Sequence, residues 1–111
     1  MARSIPVVLR ARARADIFET VDSYRDRADE ATAVRFVDAL EAALREIGQH
    51  PSIGSPRYAI ALDLPGLRSW PLSGFPHIVF YVERADHADV WRVLHGHRDI
   101  PRSLHDEDPS W

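Results

Sequence analysis

Apolar and polar positions recur with two different periods along this chain, and the switch between them marks its elements. Ile5 to Leu9 is a short β-branched and apolar run with Pro6 near its start, which predicts a first strand placed where a missing N–H is tolerated. From Ala11 to about Arg27 the alanines, Ile17, Val21, Tyr24 and Ala28 follow helical spacing among Arg, Asp and Glu, predicting an amphipathic helix. Asp29 suits the N-cap of a second helix, whose stripe of Ala33, Phe36, Val37, Leu40, Ala43, Leu44 and Ile47 runs up to Gly48. So short a connection predicts an antiparallel helical hairpin.

Pro51, Gly54 and Pro56 end the helical pattern, and four runs with strand character follow: Tyr58–Leu62, Leu67–Leu72, His77–Glu83 and Ala88–His95. Leu64-Pro65-Gly66 and Ser73-Gly74-Phe75-Pro76 mark turns, and Arg84-Ala85-Asp86-His87 suits a hairpin loop. Ile100 to Leu104 predicts one last helical turn. The order is that of an α+β fold, in which an N-terminal strand and a two-helix antiparallel hairpin pack on an antiparallel sheet of consecutive C-terminal strands. Strict alternation puts Trp91, Val93 and His95 on one face of the last strand and Val90, Arg92 and Leu94 on the other. Both faces hold apolar residues, so this strand should be central and covered on each side. Arg92 then needs a partner, either an acidic side chain or a bound segment of another protein. Trp70, Phe75, Phe80, Tyr81 and Trp91 read as core aromatics.

Length and composition narrow the picture. A chain of 111 residues, 45% hydrophobic and 28% charged, has room for one core; we expect a single domain over 1–105 and a short acidic tail over 106–111. There is no cysteine, hence no disulfide framework and no thiolate chemistry. The longest apolar runs, such as Ile78 to Val82, fall far short of the roughly 20 residues that span a bilayer, and Met1-Ala2-Arg3-Ser4 does not open a signal peptide. These features predict a soluble, unexported protein. All 14 basic residues are arginine against 17 acidic ones, a formal charge of −3, and residues 1–105 balance to zero. Such a balance argues against a surface built to neutralise phosphates, so no direct nucleic-acid binding is expected.

Several blocks, taken in order, resemble ParE-type toxins of the RelE/ParE toxin–antitoxin superfamily. They are Asp16-Ile17 with Tyr24; Ala33, Arg35, Phe36 and Val37; the turn Pro51-Ser52-Ile53-Gly54; the stretch GLRSWPLSGFPHIVFY from Gly66 to Tyr81; and RVLHGHRDIPRSL from Arg92 to Leu104. The resemblance implies a cytoplasmic toxin neutralised by a co-encoded antitoxin, of ParD-like ribbon-helix-helix type, with DNA gyrase as the target inhibited by binding. The helical hairpin and a sheet edge would be covered by the antitoxin. An exposed sheet face and the C-terminal segment would engage the target. The contact residues expected from it are Arg68, Trp70, Arg92, His95, Arg98, Ile100 and Leu104.

The related RelE branch cleaves mRNA on the ribosome, which needs a general base, a general acid and cations around the phosphate. Arg68, Arg92, His95, His97 and Arg98 are the candidates for such chemistry. The chain lacks the lysine-rich surface and the terminal tyrosine or His-Tyr pair of that branch, so ribonuclease activity is the alternative and no catalytic residue is assigned. His95 and His97 stand at i and i+2 without an evident third ligand, and no glycine loop suited to phosphate is present. Neither a metal nor an organic cofactor is expected.

Overall fold

A computed structural model describes residues 4–107. The first strand, β1, is Val7–Leu9, and α1 follows at once over Ala11–Arg27. Asp29 caps α2, Glu30–Gln49, by accepting the Thr32 N–H at 2.7 Å, which satisfies one of the donors left open by the first turn. After the Pro51–Pro56 turns comes a short helix, α3, Arg57–Leu62. Three strands complete the sheet, β2 (Leu67–Pro71), β3 (His77–Glu83) and β4 (Ala88–His95), and α4 (Ile100–His105) closes the described chain.

The sheet order is β1-β4-β3-β2. The consecutive strands β2, β3 and β4 form an antiparallel meander, while β1 returns to the far edge and pairs with β4 in parallel, Val7 opposite Ala88 and Leu9 opposite Val90. The sheet is thus mixed, and β4 is central, as its nearly unbroken burial requires.

Three expectations are corrected. Tyr58–Leu62 is helical rather than extended; Ala59, Ala61 and Leu62 favour a helix, and Asp63 stops it in the left-handed region at φ 53°. The simple alternation along β4 also fails. Phe80 faces Arg92 but Tyr81 faces Val90, so Trp91 is an extra residue, a β-bulge that slips the pattern by one. Val90 and Val93 therefore join the core beneath α1 and α2, with Phe36, Leu40, Ile47, Val79 and Tyr81, whereas Trp91 and Leu94 join a second cluster. That second cluster is the third correction. Leu64, Leu67, Phe80 and Val82 meet Ile100 and Leu104 there, so α3 and α4 cover the face expected to lie open.

The end of the described chain is drawn onto the body. Arg10, just after β1, donates to both Asp89 carboxylate oxygens at 3.0 and 2.9 Å and to the Glu107 carbonyl at 2.7 Å. Its guanidinium carbon lies 4.7 Å from the centre of the Trp91 ring. Arg12 pairs with Glu107 at 3.4 Å and, more loosely, with Asp106 at 3.9 Å. Of the expected acidic tail, Asp106 and Glu107 are therefore held in place, and 108–111 lie outside the described residues.

Candidate functional site

The residues expected to make contacts divide by environment. Arg92 is buried, and its Nε and Nη2 donate to the Asp16 carboxylate on α1 at 2.8 and 2.7 Å. The same carboxylate accepts the Val93 N–H at 3.0 Å, so one acidic side chain from α1 satisfies the bulge of β4. This bonding, with the opposing charge, holds the Arg92 guanidinium above its ordinary pKa. The partner that Arg92 needs is internal. Ile100 and Leu104 are likewise buried, as the apolar side of α4. Asp99 caps that helix through the Arg102 N–H at 3.3 Å.

The rest reach the surface. Arg68 on β2 donates to the Gly54 carbonyl at 2.9 Å and the Ser52 carbonyl at 3.2 Å, bracing the turn after α2. Trp70, two residues on, is partly buried and lines an apolar groove between α2 and β2, about 320 Å³, with Ala39, Ala42 and Leu72. His95 ends β4 and accepts the His97 N–H on Nδ1 at 3.1 Å, which fixes the neutral ring as its Nε2–H tautomer. Arg98 is exposed, and its backbone N–H donates to the His95 carbonyl at 2.9 Å. The structure thus gathers His95, His97 and Arg98 into one turn. Arg68 and Trp70 lie two strands away, with β3 between.

Residues not singled out earlier complete this end of the sheet. His77 pairs in register with His95, and their rings lie 5.2 Å apart. It is buried against Phe36, with ring centres 5.0 Å apart, and its Nδ1 has no hydrogen-bond partner in the described chain. Burial, reinforced by the neighbouring His95, depresses its pKa to about 4, so the ring is neutral at physiological pH. His77 opens a run of strand residues, and its polarity was the one signal available in the sequence. Asp89 was also missed: burial opposes its charge, but bonds from Arg10 and Arg84 outweigh that and hold its carboxyl below the ordinary range.

Among the described residues, no three His, Cys, Asp or Glu side chains are arranged to hold a metal ion, and no helix is long and apolar enough to cross a membrane. What the arrangement offers is a set of presented side chains on a rigid sheet: a groove beside Trp70, an imidazole cluster, and the exposed guanidinium of Arg98.

Comparison with known proteins gives two findings. The family model described as ParE toxin of type II toxin-antitoxin system, parDE, matches residues 7–100. Among solved structures, a chain of the "Chromosomal ParDE TA system from P. aeruginosa" superposes with a TM-score of 0.70 at 17% identity, covering 83% of this chain and 96% of the other. No curated protein matches in sequence.

Proposed function

Since this chain belongs to the ParE toxin family of type II toxin–antitoxin systems, we propose that it inhibits DNA gyrase by binding and is neutralised by a co-encoded, ParD-like antitoxin in the cytoplasm. The observation that carries the binding reading is the placement of Arg92. A cation that stabilises a phosphate during cleavage must face the substrate. Here both donor sides of the guanidinium that meet Asp16 are taken, and the side chain is enclosed. Arg68 differs: among the described residues only its Nη1 is engaged, by two backbone carbonyls, and the side chain is half-buried. On this reading Arg98 and His95 belong to the contact surface for the target. Ile100 and Leu104 act from below, by holding the C-terminal segment in position.

The antitoxin's place follows from which surfaces the fold leaves open. Most of the apolar stripe of α2 is consumed by the protein's own core. What remains is the groove beside Trp70, sized for one or two apolar anchors, and exposed Phe18 and Val34 on the hairpin. Of the two sheet edges, β2 is already closed: Ser69 exchanges backbone bonds with Ser55 at 2.9 and 3.0 Å, Leu67 donates to Leu64, and Pro71 has no N–H to offer. Val7, Val8 and Leu9 make no backbone hydrogen bond outside the sheet among the described residues. Strand addition by the antitoxin is therefore assigned to β1.

The turn that gathers half-buried His95 with exposed His97 and Arg98 keeps the ribonuclease alternative in view, and one paired assay separates the two readings. The purified protein is tested against gyrase supercoiling and against translating ribosomes, with and without the antitoxin. Inhibited supercoiling with intact mRNA supports the proposal. Cleavage of mRNA in the ribosomal A site with unaffected gyrase overturns it.

A further inference from the structure

A pocket of about 390 Å³ opens between α1 and the paired ends of β3 and β4, lined by Glu19, Thr20, Ser23, Tyr24, His77 and His95. Its polar groups are left over by the fold. The Glu19 carboxylate and the Ser23 and Tyr24 hydroxyls make no hydrogen bond or ion pair among the described residues, whereas Thr20 is engaged, donating to the Asp16 carbonyl at 2.8 Å. On the inner wall His77 is only 5% exposed, yet its Nδ1 has no partner. Buried polar atoms are nearly always satisfied, and an exception calls for an explanation. Aromatic rings form part of this open lining, with Tyr24 and His77 ring centres 6.1 Å apart and His77 and His95 5.2 Å apart.

We propose that this pocket receives the basic side chain, an arginine guanidinium, of a partner polypeptide. Three features select that chemistry. The only carboxylate in the lining is that of Glu19, exposed on α1, which attracts a cation and repels an anion. The His77 imidazole is uncharged at neutral pH, because burial and His95 disfavour its proton, so it brings no positive charge to repel a cationic guest. The lining includes the tyrosine and imidazole rings, and a guanidinium stacks on aromatic rings more readily than an ammonium does. Arg92 does not already fill this role: it interacts with Glu19 through space, but its hydrogen bonds go to Asp16. The inference does not rest on the toxin reading, and a protein that leaves gyrase untouched would still have this pocket.

The test is titration of the whole folded protein with N-acetyl-arginine amide, followed by imidazole nitrogen and proton NMR. Saturable shifts of the His77 and His95 rings are expected, with affinity reduced roughly two- to fivefold by Glu19→Gln, the loss of one solvent-facing ion pair. Glu19 is exposed, so this variant keeps its fold, which circular dichroism verifies. N-acetyl-citrulline amide, the neutral isostere, and N-acetyl-glutamate amide are the comparators. Three results overturn the proposal: no saturable shift at His77, equal binding of either comparator, or unchanged affinity in Glu19→Gln.

Discussion

Asp16 on α1 and Arg92 on β4 lie 76 positions apart in sequence and meet through two hydrogen bonds of 2.8 and 2.7 Å in the interior. The pair links the first helix to the central strand at the bulge. Removing one member of a buried pair strands the other charge, at a cost of about 3–5 kcal/mol. Asp16→Ala is therefore expected to lower unfolding free energy by that order in urea titrations. Replacing both, as Asp16→Leu with Arg92→Met, should recover most of the loss. If the single variant is as stable as the parent, the pair does not anchor the helix.

A second prediction concerns the turn after α2. Gly54 donates its N–H to the Tyr81 hydroxyl at 2.9 Å, and that hydroxyl donates to the Pro51 carbonyl at 2.7 Å. A Cβ on Gly54 would lie 2.8 Å from both Arg68 Cβ and the Tyr81 oxygen, closer than such atoms approach. Tyr81→Phe should cost about 1–3 kcal/mol, since it leaves a buried N–H without a partner. Gly54→Ala should cost at least as much and also disturb Arg68, whose bonds end on this turn. Thermal denaturation of both variants, with the NMR signals of the turn as local readout, checks the order.

The third prediction is a pH dependence. His77 titrates near 4 in the folded protein against an ordinary 6.5, so the unfolded chain binds its proton more readily. Its contribution to stability is complete above pH 6.5 and is lost as pH falls from 6.5 toward 4. His77→Phe should flatten the urea midpoint over that window and leave the fall at lower pH unchanged. There, carboxylates such as Asp89, whose ordinary value is 3.8, take over. A parent protein equally stable at pH 4 and pH 7 would show that His77 is not enclosed as described.

The fourth prediction separates contact from scaffold at the C-terminal end. Leu104 is fully buried, so Leu104→Ala is expected to cost about 2–5 kcal/mol. Removing residues from Ile100 onward uncovers Leu64, Phe80 and Trp91 and should unfold or aggregate the protein. Arg98→Ala, in an exposed position, should leave the urea midpoint unchanged and, under the proposed function, weaken the inhibition of gyrase expected of the parent. Lost inhibition in the deletion alone, with Arg98→Ala fully active, would remove Arg98 from the contact surface.

The readable and unreadable parts of the sequence differ in physical kind. Both long helices, β3 and β4 were legible because each carries enough periods of one repeat to exclude the other, and Asp29 marked a start with chemistry of its own. Tyr58–Leu62 spans too few residues for a period to declare itself, and five apolar side chains suit a buried strand as well as a helical turn. The bulge at Trp91 carries no glycine or proline to announce it, so the sides of β4 were divided by a rule that holds only up to Val90. The candidate site suffered most from distance. That Arg92 needed a partner followed from its strand, but the choice of Asp16 depends on how α1 lies across the sheet. Arg98 was singled out through its block, and the structure adds only that it is exposed, whereas His77 acquires its meaning only when β3 sets it beside His95.

The parallel pairing of β1 with β4 has a consequence for how this protein comes into being. Val7 is synthesised some eighty residues before its partner Ala88. Until then β1 has no sheet to join, Arg10 has no Asp89 to grip, and the covering helix α4 has not been made. Contacts of such long range form late and cooperatively. The helical hairpin and the β2–β3 pair can form earlier, but the four-stranded sheet cannot close until β4 has cleared the ribosome. A chain cut short before that strand lacks the middle of its sheet, and any activity of the folded protein is confined to molecules whose synthesis has passed β4.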